Sequence, residues 1–296
     1  MIKVYNRQTQ QIEIENTYKQ DSLHFLYKTD LGRALSSSVF NKHLISKLYA
    51  RVVKSRQSIS LIQKFIKHYD IDISEIKHPI EGFRCFNDFF IRELKDGARP
   101  IDTNCDHLIS PADSRLCVFD LAEKNNLPVK GYWYSLSALI KDKKLAKEYA
   151  EGWCFIYRLA PADYHRYCYI DNGYQEKVKR LRGVLHSVNP IAMSSVKNLL
   201  SRNYRELTIL HTENFGKVLH LEVGALLVGK IIQRDHGAHS FGKGEEKGWF
   251  EYGGSTIIQI FKKEHVQPDA DILEQTQNKT ETLVRYGQKT GIKITG

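Results

Sequence analysis

From about residue 105 onward the chain is written in short apolar, β-branched runs separated by Gly, Asn and Pro. The runs at 153–159, 177–186, 207–211, 218–223, 226–232 and 256–261 predict strands. Few long helical periods lie between them, which predicts a largely antiparallel sheet. One helix, over roughly 191–202, is expected to interrupt the series after Asn189-Pro190. The earlier part of the chain reads differently. Residues 20–78 carry helical spacing, as where Leu44, Ile45, Leu48, Val52 and Val53 recur within 41–53. The expected fold class is therefore α+β, with a mostly helical N-terminal region (1–100) on a mainly antiparallel β core (101–296). No internal repeat or low-complexity linker marks the boundary near 100.

Composition adds a charge to this picture. The 296 residues are 42% apolar and 26% charged, an ordinary globular balance. Lys and Arg number 44 against 34 Asp and Glu, a formal net charge of +10. Such an excess suits an anionic partner, whether nucleic acid, an anionic bilayer or a phosphorylated metabolite. Segment 41–70 concentrates it, with Lys42, Lys47, Arg51, Lys54, Arg56, Lys64 and Lys67 against the single acid Asp70. That segment reads either as a solvated helical face over the core or as an interfacial helix on anionic lipid. Arg92, Lys95 and Arg99 lie among aromatic residues, but no helix-turn-helix or RNA-recognition signature accompanies them, so no nucleic acid is expected.

The opening residues lack the apolar core of a secretion signal, and no run of 18 apolar residues occurs, so membrane contact is expected to be peripheral. Cys85, Cys105, Cys117, Cys154 and Cys168 are odd in number and widely spaced, without CxxC. Neither structural zinc nor a disulfide framework is expected, and the reading is a reduced cytosolic protein.

The densest chemistry lies at 241–261, FGKGEEKGWFEYGGSTIIQIF. Its glycines fit a tight hairpin. They also suggest a phosphate-cradling loop, but no GK[ST] and no following helix are present. A third reading concerns Gly253-Gly254-Ser255-Thr256. A serine hydroxyl can attack the carbonyl before it when the backbone bends sharply, and glycine there permits the bend and leaves the carbonyl unshielded. The attack gives an ester. Loss of the serine α-proton eliminates the upstream chain, and the dehydroalanine left behind hydrolyses to a pyruvoyl group.

The run Lys243-Gly244-Glu245-Glu246, Gly248, Phe250 and Gly253-Gly254-Ser255-Thr256 resembles the cleavage site of the phosphatidylserine decarboxylases, in the form of their bacterial type II branch. The resemblance extends through Phe89-Phe90-x-Arg92-x-Leu94-Lys95-x-Gly97-Ala98-Arg99-Pro100-Ile101, Ser110-Pro111-Ala112-Asp113 and Lys130-Gly131-Tyr132. It continues in Leu159-Ala160-Pro161-x-Asp163-Tyr164-His165-Arg166 and Ser187-Val188-Asn189-Pro190. Glu222-Val223-Gly224-Ala225, Val228-Gly229 and Glu281-Thr282-Leu283-Val284-Arg285-x-Gly287 complete it, all in order over about 200 residues.

The resemblance implies a self-processing enzyme that turns phosphatidylserine into phosphatidylethanolamine and carbon dioxide. It implies cleavage between Gly254 and Ser255 into a β chain (1–254) and an α chain (255–296) that stay together as a heterodimer. Ser255 would supply a covalent pyruvoyl group that condenses with the substrate amine, with no metal or diffusible cofactor. Asp113 and His165 join Ser255 as catalytic residues, Asp113 in charge relay and His165 also as the acid that reprotonates the product carbon. The implied setting is the cytoplasmic side of the cell membrane, peripherally bound. Alternatives are a soluble amino-acid substrate for the same chemistry, or a lipid-binding relative that never matures.

One position departs from the family. A second histidine usually follows the first by three residues and is the usual activator of the serine; here that position is Cys168. Either His165 takes both tasks, or His186, His236 or His239 moves in. Alone, Asp113 in its turn reads as a backbone cap, and His165 as a structural residue. Arg166 and Lys243 are the basic residues expected to meet the substrate phosphodiester.

Overall fold

A computed structural model of the chain describes residues 2–15, 50–122, 126–129, 132–183, 199–224, 230–253 and 255–294. In chain order, the strands that build its two central sheets begin with β1 (Lys3–Asn6), β2 (Gln11–Ile14), β3 (Ser114–Asp120), β4 (Trp153–Leu159), β5 (Arg166–Cys168), β6 (Gly173–Gln175) and β7 (Lys179–Leu181). They continue with β8 (Arg205–Thr212), β9 (Lys217–Val223), β10 (Ile231–Gln233), β11 (His239–Phe241), β12 (Glu246–Phe250), β13 (Ser255–Phe261) and β14 (Glu281–Val284).

The main sheet runs β11-β6-β8-β9-β13-β4-β3-β14-β1-β2, with β7 beside β8. Its pairings are antiparallel except that of β1 with β14. A three-stranded sheet, β10-β12-β5, packs against it, and Val266–Pro268, Lys289–Lys293 and His107–Ile109 form another. The architecture is α+β with mostly antiparallel sheets, as the periodicity predicts.

The strand expected at 153–159 is β4 itself, and that at 256–261 is β13 with Ser255 as its first residue. Those at 207–211 and 218–223 extend into β8 and β9. Of 177–186 only β7 is a strand, with 184–186 outside the described residues; of 226–232 the described part holds β10. The helix expected over 191–202 is described only at Leu199–Arg202. Of the helical reading over 20–78, residues 20–49 likewise fall outside; its described part holds α1 (Ser60–Tyr69), and a further helix, α2 (Phe86–Phe90), lies beyond it. Residues 3–14 carry no helical period and join the core sheet as a hairpin.

Strand β13 sits centrally, paired with β9 on one side and β4 on the other, and all seven of its residues are buried. Its Ile257-Ile258 and Ile260-Phe261 pairs, with Gln259 between them, put apolar side chains on both faces, as a strand buried on both faces requires. Ile258 and Ile260 pack with Ile156, Leu219 and Leu221 on one face, while Ile257 and Phe261 meet Tyr157, Val218 and Phe250 on the other. A third cluster joins Val53, Ile62 of α1 and Ile76 to Phe86, Phe89 and Phe90 of α2. Tyr252, three residues before β13, packs on Phe86 and Phe90 with ring centroids 5.0 Å from each. The helical region thereby grips the segment that leads into the central strand.

Candidate active site

The register of β13 on β4 places Ser255 directly across from Leu159. After Leu159 the chain turns through residues 160–164 and returns. Asp163 fixes that turn by accepting from the Ala160 amide at 2.6 Å and pairing with Arg115. The returning backbone is tied to the second sheet, where the His165 carbonyl accepts from the Phe250 amide at 2.9 Å. His165 is thus folded back over the strand end, and its Nδ1 lies 3.4 Å from Ser255 Oγ. On the other side of Ser255 the backbone is unusual as well: Gly253 holds φ +138°, a conformation that side-chain-bearing residues rarely adopt.

The electrostatics assign a tautomer. His165 Nε2 lies 3.1 Å from the Ala160 carbonyl, which can only accept, so Nε2 carries the proton and Nδ1 presents its lone pair to Ser255. Burial, and then the charge of Arg92, push the His165 pKa down to about 3, so the ring is neutral at physiological pH. Both side chains are fully buried. A hydroxyl beside a neutral, water-shielded imidazole has the arrangement that a nucleophile–base pair requires. The geometry permits proton transfer from Oγ to Nδ1 as the serine attacks.

Asp113 sits elsewhere in the same neighbourhood. Arg99 clamps its carboxylate through Nε (2.9 Å to both oxygens) and Nη2 (2.7 Å), and the Tyr286 amide donates to it at 2.8 Å. Among the described residues no hydrogen bond joins Asp113 to His165, because both ring nitrogens are engaged by Ser255 and Ala160. The structure brings Ser255 and His165 together and places Asp113 as a tie between Arg99 and the C-terminal segment.

Cys168, at the family's second-histidine position, is buried on β5, and its amide donates to the Pro111 carbonyl at 2.9 Å. Burial pushes its thiol up to about 12, so it stays protonated and is no base at neutral pH. His239 is 3.1 Å from the Tyr169 hydroxyl and His236 is 3.2 Å from Arg180, while His186 lies outside the described residues. Arg166 bonds Glu246 and the Ile91 carbonyl and stacks on Trp249. Lys243 donates to the Asn104 and His107 carbonyls. Neither of these two cations is unengaged.

Several neighbours escape a linear reading. Phe90 stacks on the His165 ring, with centroids 4.0 Å apart. Lys247, wholly buried, donates to Glu222 at 2.6 Å and Gln233 at 2.7 Å, and Glu222 also pairs with His220 at 3.1 Å. Gly248 lets β12 lie close to its neighbours within its own sheet, since a Cβ there would lie 2.1 Å from the Ile232 carbonyl of β10 and 2.7 Å from the Tyr167 hydroxyl of β5. The Phe-Phe-x-Arg run and Glu222 were visible as motif positions, but nothing local shows which partners they meet.

Comparison with known proteins bears on what this pair is for. The family model described as phosphatidylserine decarboxylase matches residues 86–292. The chain is 42% identical over 294 residues to a phosphatidylserine decarboxylase proenzyme of Clostridium perfringens, covering 99% of this chain and 100% of that one. It is also 42% identical to the corresponding Clostridium kluyveri proenzyme, with 99% of each chain covered. A phosphatidylserine decarboxylase proenzyme 2 of Clostridium acetobutylicum matches at 42% identity, with 98% of each chain covered.

Proposed function

The chain belongs to the phosphatidylserine decarboxylase family, and we propose that it converts phosphatidylserine to phosphatidylethanolamine and carbon dioxide after cutting itself before Ser255. The observation that carries this reading is the 3.4 Å approach of Ser255 Oγ to the bare Nδ1 of His165.

In the uncut chain His165 takes the hydroxyl proton as Oγ attacks the carbonyl of residue 254. The peptide bond becomes an ester and frees the serine nitrogen. Removal of the Ser255 α-proton then expels the upstream carboxylate, and hydrolysis of the resulting dehydroalanine releases ammonia. The residues fit the pyruvoyl group that this sequence leaves. It would cap a central strand held on both sides by β4 and β9, beside a buried imidazole. Bound there, the group supplies an electron sink for loss of the substrate carboxylate. His165 is placed to return a proton to the carbon left behind. Asp113 balances Arg99 and holds the Tyr286 amide, so it joins the two fragments across the cut. Cleavage leaves β13 in its sheet, which supports a stable heterodimer of the two pieces.

The lipid substrate calls for a membrane-facing surface, which we place at the helical N-terminal region on the cytoplasmic side. Val52 (58% exposed) and Leu61 (40% exposed) stand out to solvent there beside exposed Arg51, Arg56 and Lys64. That mixture is what an interfacial segment presents to anionic lipid. Binding to anionic vesicles should weaken with salt; equal binding to neutral vesicles at every salt concentration would remove this part of the reading.

Intact-mass analysis tests the central claim. The expected result is a small fragment beginning with a pyruvoyl group in place of serine, and a single uncut chain from Ser255→Ala. Wild-type protein that decarboxylates lipid while uncut would overturn the mechanism. Purified protein that stays uncut and inactive would favour a lipid-binding relative, and turnover of free serine without lipid would move the substrate to a soluble amino acid.

A further inference from the structure

Ala162, Asp163 and Tyr164, the three residues that lead into His165, form one wall of a cavity of about 230 Å³. It is lined by Arg92, Arg99, Arg115, Asp113, Asp163 and Tyr164, among others. Two of its three interior arginines are spent on carboxylates: Arg99 holds Asp113 and Glu75, and Arg115 pairs with Asp163. Asp72, at the same cavity, is turned to Ser74. Arg92 differs. Only 5% of it is exposed, its Nη2 donates to the Ala162 carbonyl at 3.1 Å, and its Nε and Nη1 have no hydrogen-bond partner among the described residues, although Asp113 and Asp163 lie near enough to favour its charge. Its guanidinium lies over the Phe89 ring, 5.2 Å from the centroid. Burial lowers its pKa only to about 10, so it remains a cation at neutral pH.

A buried cation with two idle donors is costly to keep unless something periodically pairs with it. Guanidinium matches the tetrahedral oxygens of a phosphate group in a two-pronged fashion. We propose that Arg92 binds the phosphodiester of the substrate headgroup in this cavity. The inference rests on the decarboxylase reading above and names a specificity residue for it.

Position and chemistry both favour the phosphodiester over the other anion of the headgroup. Arg92 is close enough to depress the basicity of His165, and Ala162, Asp163 and Tyr164, which line the cavity, lead directly into that histidine. In a serine headgroup the phosphorus is separated from the reacting amine by two carbons and one oxygen, a short reach from Ser255 to a neighbouring cavity. A guanidinium on the departing carboxylate would stabilise the ground state and oppose the reaction. Held instead on the phosphodiester, the same charge orients the substrate and leaves the carboxylate to lose its charge.

The test uses the processed holoenzyme and Arg92→Gln and Arg92→Lys variants. Cleavage is first verified by mass and folding by thermal melting. Binding is then measured by calorimetry with glycerophosphoethanolamine, ethanolamine and inorganic phosphate. Wild type should prefer glycerophosphoethanolamine over ethanolamine by about 30-fold, the worth of a charge-assisted hydrogen-bonded pair. Arg92→Gln should erase that preference, and Arg92→Lys should restore part of it. In turnover the same loss should appear in KM more than in kcat. A cleaved, folded Arg92→Gln that keeps the full preference overturns the assignment. So does inorganic phosphate binding as tightly as glycerophosphoethanolamine, which would make the cavity a free-phosphate site. If Arg92→Gln does not fold, Arg92→Lys decides alone, since undiminished preference and unchanged KM there would also count against it. The binding arm does not require decarboxylation, so an inactive wild type would sink the functional reading without deciding this one.

Discussion

Phe90 lies nearly flat on His165, with ring centroids 4.0 Å apart and planes inclined by 28°. The contact joins a helix of the N-terminal region to the imidazole that faces Ser255, and Phe90 is itself completely buried. It keeps water from the ring and thereby helps hold the imidazole neutral.

Phe90→Ala should therefore do two things. It should cost about 3 kcal/mol of stability by opening a cavity. It should also admit water, raise the His165 pKa toward its ordinary value, and stop self-cleavage at a higher pH than in wild type. Mass-resolved cleavage rates across pH 4–8 check this, with Phe90→Leu as the milder control. A profile identical to wild type would show that the stacking does not govern the base.

Acid should unfold the uncut protein partly through His165. Its folded pKa, about 3, lies below the ordinary 6.5, so the unfolded chain takes up a proton that the folded one refuses. The stability tied to this neutral ring is complete above pH 6.5 and is lost as pH falls toward 3. Urea midpoints measured from pH 7 to pH 4 should fall less steeply in His165→Gln than in Ser255→Ala, both uncut. Parallel slopes would contradict the assignment.

Cys168 should prove dispensable for cleavage. As a buried thiol with a raised pKa it has neither the charge nor the access to act as base. Cys168→Ser should still produce both fragments, and a thiol reagent should modify exposed Cys105 in the folded protein while sparing Cys168. Failure of a well-folded Cys168→Ser to cleave would return the relay to this position.

Glu222→Gln should be among the most damaging single changes away from Ser255. It leaves Lys247 buried against a neutral partner, with an expected loss of about 3–5 kcal/mol. Pairing with Lys247 and His220 overcomes the burial penalty and holds the Glu222 carboxyl down to about 2, so this contribution persists above pH 4.5 and fades as pH falls toward 2. A double variant, Glu222→Gln with Lys247→Met, should recover part of the loss in thermal melting. No recovery would mean that the buried charge is not the source of the damage.

Fragment association should outlast the cut. Arg158 of β4 donates to Glu281 of β14 at 2.6 Å and to Glu15 at 2.9 Å, bridging residues on both sides of the proposed cleavage point in a buried ion network. The two pieces should co-elute on size exclusion in native buffer and separate only in denaturant. Co-elution lost at neutral pH in wild type would refute this.

The order of motifs and the strand that Ser255 begins were legible in the sequence, because β-branched periodicity and a contiguous Gly-Gly-Ser-Thr run are local properties of the chain. The same holds for the α+β class and for strands such as β4, whose apolar runs need burial on both faces. Which residue serves Ser255 was legible only through the family resemblance, and only as a choice among His165, His186, His236 and His239. His165 precedes Ser255 by 90 residues, and only the register of β4 on β13, with the turn pinned by Asp163, brings the two within 3.4 Å. Likewise, Asp113 and Arg99 looked like separate motif residues until the fold set them in one ion pair. Arg166 and Lys243 looked available until their partners were seen, and Arg92 drew no notice as a ligand until its donors proved unmatched. Sequence fixes which groups can react. Through-space pairing, set by strand register and burial, decides which ones meet, which are neutral, and which are left waiting for a partner.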